Sequence, residues 1–174
     1  MIEAAKKINF KKEPLKRPGF TLVEIVVVLF IISLGLIGVL TLIIQNIQSQ
    51  SYNKNNLIAY QLAQEGIELV RKVRDSNWKA HVPYNTNLVD GEYYMDYLDT
   101  IPTSSTGPTS LVLKTDNNGF YIHDAAGSDS GFSRKLTIQN LAGGESMRVV
   151  AEITWSVNNR SYSYDLETLL YDWH

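Results

Sequence analysis

The chain of 174 residues contains no cysteine, so disulfide frameworks and thiolate metal sites are excluded. Proline is missing from the whole interval between Pro18 and Pro83, which leaves room for a very long helix. Charge is nearly missing from Phe20 to Ile44, where Glu24 is the single ionisable side chain in 25 residues. The catalytic motifs are missing as well. No serine sits in Gly-x-Ser-x-Gly, and no glycine-rich phosphate loop appears. His81, His123 and His174 have no ligand spacing between them. No chemistry performed by this chain is expected.

What is present begins with an apolar run. Roughly 20 residues suffice to cross a bilayer core as a helix, and 25 are far too many for one strand. The run therefore reads as a membrane span. Its length, and the lack of an Ala-x-Ala site behind it, argue against an ordinary secretory signal. Glu24 is the anomaly: a carboxylate in a membrane helix is costly and needs a partner. Interfacial snorkelling is the bland alternative.

Charge is unevenly shared. Residues 1–19 carry six basic and two acidic side chains, a net of +4, while the remainder carries a net of −6. Positive charge just before the span places the N-terminus inside the cell and sends the body outward. The acidic body argues against nucleic acid as a partner.

Lys16-Arg17-Pro18-Gly19-Phe20-Thr21-Leu22-Val23-Glu24, followed by the apolar run, resembles the processing site of type IV prepilins and of the pseudopilins of type II secretion and competence systems. The resemblance implies that a membrane aspartyl peptidase, the prepilin peptidase, cuts between Gly19 and Phe20 and methylates the new amine of Phe20. It also makes Glu24 the acidic position that pairs with a neighbouring subunit's N-terminal ammonium during assembly. The implied partners are other pilin subunits in a helical filament, the prepilin peptidase, the assembly platform proteins, and the membrane before assembly. No cofactor is implied. The localisation would be a single-pass precursor in the cytoplasmic membrane and, after assembly, a cell-surface filament. Many pilins staple a C-terminal loop with a disulfide; this chain lacks the cysteines, so its body holds by core packing.

The expected fold is α+β, a long helix on a four- to five-stranded antiparallel sheet. Residues 1–19 are expected as a removed leader and 20–44 as the span and filament-core helix. Residues 45–78 continue that helix, 79–110 form a variable loop region, and 111–174 form the sheet. Ala59, Leu62, Ala63, Gly66, Leu69, Val70 and Val73 recur at helical spacing and mark the face that meets the sheet. Glu68 and Lys72 suit an i, i+4 pair. A catalytic reading of Glu65 with Glu68 yields to a solvated helix face. Gly35 and Gly38 weaken the span and read either as close packing sites or as positions where the helix melts during assembly. Many major pilins carry a helix-perturbing proline near the place of Thr41.

Asn118-Gly119 between two apolar segments, Leu111–Thr115 and Phe120–His123, signals a hairpin. Asp116 and Asn118 are weak calcium candidates at the same turn, but a full site needs six to eight oxygens and none is completed here. Ala125–Gly131 reads as a Gly/Ser/Asp loop. Two strands then follow, Met147–Val157, where Val150 interrupts the alternation, and Ser161–Leu170, after Arg134–Gln139. Tyr84, Tyr93, Tyr94 and Tyr97 pack under the middle loops or form a contact patch.

The leading function is a structural subunit, a minor pilin of a type IV pilus, with a pseudopilin of a secretion or competence system close behind. A membrane-anchored extracytoplasmic binding protein that forms no filament is the alternative of another class, and a tethered enzyme a distant third.

Overall fold

A computed structural model describes residues 19–124 and 127–172. The leader as far as Pro18, positions 125 and 126, and the terminal Trp173 and His174 lie outside the described residues. The chain divides into two compact units, one ending at Asn46 and one beginning at Ile47.

Helix α1 runs from Leu22 to Lys79 without interruption. The amide-rich segment at 45–56, a weak helix former by composition, remains helical throughout. In the first unit no helical residue is buried. The span's hydroxyls are satisfied within the helix: Ser33 Oγ donates to the Leu29 carbonyl at 2.7 Å and Thr41 Oγ1 to that of Ile37 at 3.0 Å. Lipid offers no replacement for such bonds, so this is the arrangement a bilayer demands.

In the second unit, α1 buries Ala59, Leu62, Ala63, Gly66, Ile67, Leu69, Val70 and Val73. The spacing of three and four puts them on one face. Gly66 lets the layers approach closely: a Cβ there would stand 2.8 Å from Cδ2 of Leu136 on the facing strand, which would have to shift. The helix stops through two bonds, from Val82 N to the Asn77 carbonyl and from His81 N to that of Trp78. His81 sits at φ 57, the left-handed position that usually falls to glycine in this C-terminal motif.

Among the described residues seven antiparallel strands follow: β1 Gly91–Tyr94, β2 Thr103–Ser104, β3 Val112–Thr115, β4 Tyr121–Ile122, β5 Ser128–Asn140, β6 Ser146–Val157 and β7 Arg160–Tyr171. The α+β expectation holds: the five segments read as strands correspond to β3–β7, and β1 and β2, within residues 79–110, are the additions. β5 is central. One of its edges pairs with β6, from Phe132↔Trp155 to Asn140↔Met147; the other holds β1 and β3 in tandem. β6 then pairs with β7 from Ser146↔Tyr171 to Val157↔Arg160.

Three sequence expectations need correction. Ser128–Gly131 is the start of β5 rather than loop, because Thr115 and Lys114 of β3 supply a ladder partner for it. Val150 does not interrupt the alternation; it points outward, between Thr137 and Glu167, while Met147, Val149, Ala151, Ile153 and Trp155 are buried. The third concerns Glu68, which pairs with Arg71, while Lys72 Nζ lies 3.4 Å from the Tyr97 carbonyl.

Candidate functional site

The residues singled out at the cleavage motif occupy the start of α1. Gly19 and Phe20 precede the helix, and Phe20 is 78% exposed. Thr21 is the N-cap: its Oγ1 accepts the backbone N–H of Glu24 at 3.2 Å, and its carbonyl accepts that of Ile25 at 3.2 Å. A helix leaves its first N–H groups without internal partners, and a threonine at this position satisfies one of them. Thr21-Leu22-Val23-Glu24 has the spacing of a capping box, a sequence signal that explains why the helix begins one residue after Thr21. Glu24 occupies the first turn, where its charge complements the helix dipole. Its carboxylate makes no hydrogen bond or ion pair with another described residue.

Gly35 and Gly38 lie in the uninterrupted helix. A Cβ at either would meet no atom of the described residues within 4 Å, apart from the helix's own backbone, so no packing among them calls for glycine at those positions.

In the second unit, Asp116 and Asn118 form the turn between β3 and β4. Asp116 Oδ1 accepts the N–H groups of Phe120 and Asn118, both at 2.8 Å. The Phe120 bond first, with those from Asn118, holds the Asp116 carboxyl below the usual aspartate range. Oδ1 of Asp116 thus shapes the turn. Among the described residues, no group of three or more His, Asp or Glu side chains is placed to hold a metal ion. Tyr84 and Tyr93 are buried; Tyr94 rests against His123, and Tyr97 against Phe120. The tyrosines thus divide between packing and surface.

A buried polar cluster was not anticipated. Arg134 of β5 is completely buried, with Nη2 donating to the Met95 carbonyl at 2.7 Å and Nη1 standing 3.2 Å from Oε1 of Glu65. Asp96 lies 4.0 Å from the same guanidinium and accepts the His123 backbone N–H at 2.9 Å. His123 Nδ1 is 2.5 Å from Oδ1 of Asp96. Burial pushes the Asp96 carboxyl up, but the His123 bonds and the charge of Arg134 outweigh it and hold it below its ordinary value. Glu65 is thus more than solvated helix face: it anchors an inward-pointing charge. The cluster ties α1, β5 and the segments after β1 and β4 together. The signal for it was strand periodicity, since Phe132, Arg134, Leu136 and Ile138 alternate on one face.

Residues 15–40 match the family model for the prokaryotic N-terminal methylation motif, the signature of type IV prepilins and pseudopilins. No curated protein and no solved structure matches the chain.

Proposed function

We propose that the chain is a precursor whose leader is cut by a prepilin peptidase between Gly19 and Phe20, whose new Phe20 amine is methylated, and which enters a type IV pilus as a minor pilin. The observation that carries this reading is a coincidence of position. The methylation motif at 15–40 falls on the capped start of a helix that is long and apolar enough to cross a membrane and has no buried residue along that stretch. An apolar helix with no cover from the described residues calls for lipid or other helices. The motif makes lipid first and sibling subunits second the natural sequence of events.

In this account the positive leader keeps the N-terminus inside the cell, and the unit from Ile47 onward lies outside. Cleavage creates an ammonium at Phe20. Within an assembled bundle of helices, Glu24 of one subunit neutralises the Phe20 ammonium of a neighbour, and an assembly platform drives the transfer from membrane to filament. Gly35 and Gly38 supply the positions where the helix melts locally on entry, which fits the lack of any packing demand for them among the described residues. The tyrosine-containing variable middle and the lack of cysteines suit a low-abundance subunit. The same motif also opens pseudopilins, so a secretion or competence pseudopilus remains the neighbouring reading.

Co-expression with a prepilin peptidase tests the proposal. The wild-type chain loses 19 residues on a denaturing gel, and Gly19→Ala keeps them. A permanently anchored receptor would show the same mobility with and without the peptidase.

A further inference from the structure

The corner of the second unit nearest in sequence to the span carries a feature that the pilin reading does not use. Gln48 and Tyr52 of α1 face the β6–β7 turn across an open cavity of about 240 Å³, whose remaining lining is Val157, Asn158, Arg160 and Tyr162. The cavity is built on the core. Tyr52 packs on Tyr162 at 5.2 Å between ring centres, and Tyr162 stacks at 5.7 Å on the buried Trp155. Asn158 and Asn159 both take left-handed conformations, at φ 51 and 63, and so form a tight two-residue turn that fixes where Arg160 begins β7.

Arg160 is exposed and forms no ion pair with any described residue. The segment from Ile47 to Gln64 has one charged residue, Lys54, and that from Val157 to Tyr164 has one, Arg160; neither contains a carboxylate. The whole chain from Ile47 onward, these two residues included, carries 15 acidic and 10 basic residues, a net of −5. A cation beside amide and phenol groups, with no carboxylate in the lining, is complementary to a phosphodiester. The source of that phosphodiester follows from connectivity. Gln48 comes four residues in sequence after Ile44, the last residue of the apolar run, so the lining begins within a few residues of the point where the chain leaves the membrane. Headgroup phosphates lie at that level, where tyrosines are also enriched at bilayer interfaces.

We propose that this cavity binds the headgroup phosphate of an anionic phospholipid through Arg160, with Tyr52 and Tyr162 as its interfacial floor. The inference rests on the membrane-precursor reading. It gives the acidic unit one point of attraction to a negatively charged leaflet while the chain waits for assembly, and this contact is lost when the chain leaves the bilayer.

Because the chain has no cysteine, a single one reports without background. Ser161→Cys, beside the turn, and Ala142→Cys, on the β5–β6 connection, are each labelled with a nitroxide in the full chain reconstituted into liposomes. Access of an aqueous nickel complex is then measured in purely zwitterionic bilayers and in bilayers containing phosphatidylglycerol. One cation near an anionic surface is worth a factor of roughly five in occupancy. The Ser161 label is therefore expected to become about that much better shielded with phosphatidylglycerol, the gain vanishing in Arg160→Gln and persisting in Arg160→Lys, with the Ala142 label unchanged. Equal shielding in both lipids, or shielding indifferent to Arg160→Gln, overturns the inference. Equal protection by inorganic phosphate added to the detergent-solubilised chain also overturns it, because the cavity would then take free anions. A chain that fails to float with the liposomes overturns the membrane reading itself, an outcome distinct from insertion without lipid preference.

Discussion

The guanidinium of Arg134, which has no exposed surface, lies 3.2 Å from the carboxylate of Glu65 in the opposite layer. The strand alone would have left a charge facing an apolar helix. The helix supplies Glu65 and the Leu62 carbonyl, the segment after β1 supplies Asp96 and the Met95 carbonyl, and together they make the burial tolerable. Removing either member of such a pair leaves the other uncompensated.

Arg134→Ala is therefore expected to cost about 3–5 kcal/mol of unfolding free energy, whereas Arg134→Met, which fills the volume without a charge, costs much less, particularly when combined with Glu65→Gln. Urea titration of the detergent-solubilised chain, followed by tryptophan fluorescence, separates the three variants. Equal stability of Arg134→Ala and wild type would remove the cluster from the account.

Asp96 sets a pH dependence. Its carboxyl is held below the ordinary aspartate value in the folded chain, so the unfolded chain binds its proton first as pH falls. The associated stability is present above the unfolded value and is lost as pH drops through the folded one. The chain should unfold more readily toward pH 3, and Asp96→Asn should flatten part of that slope in thermal melts. Asp90, Asp116 and Glu167 are lowered too and keep the remainder. An unchanged acid slope in Asp96→Asn contradicts the assignment.

Much of this was legible in the sequence, because periodicity is set by local geometry. All seven of the stripe residues from Ala59 to Val73 are buried, and β6 and β7 fall where alternation put them. The first residues of β5 were not legible, since Ser, Asp and Gly have loop composition and become strand only because β3 lies alongside. Likewise β2, two residues long, exists through pairing alone, whereas the Asn118-Gly119 turn already placed β4 opposite β3. Glu65 looked solvated because a helix pattern does not show which strand charge will come to face it. The capping role of Thr21 is readable from the Thr-x-x-Glu spacing at the start of the apolar run.

Thr21 makes its own prediction. Thr21→Val removes the acceptor for the Glu24 N–H and should weaken the first turn by about 1 kcal/mol, while Thr21→Ser keeps it. Hydrogen exchange at the Glu24 amide in micelles measures this directly: faster in valine, unchanged in serine. Identical exchange in both would mean that the hydroxyl does not cap the helix.

Glu24 is assigned to contacts between subunits, so Glu24→Leu should leave synthesis and membrane insertion intact while impairing entry into filaments. Immunogold counts on sheared filaments from cells expressing both forms give the ratio. Incorporation equal to wild type would remove the proposed pairing with the Phe20 ammonium.

The most direct measurement is mass spectrometry of the N-terminus of the protein isolated from its native cells. The account predicts a polypeptide that begins at Phe20 and bears a methyl group on its amine. An intact chain that still carries Lys16 and Arg17 ahead of an unmodified Phe20 would contradict it.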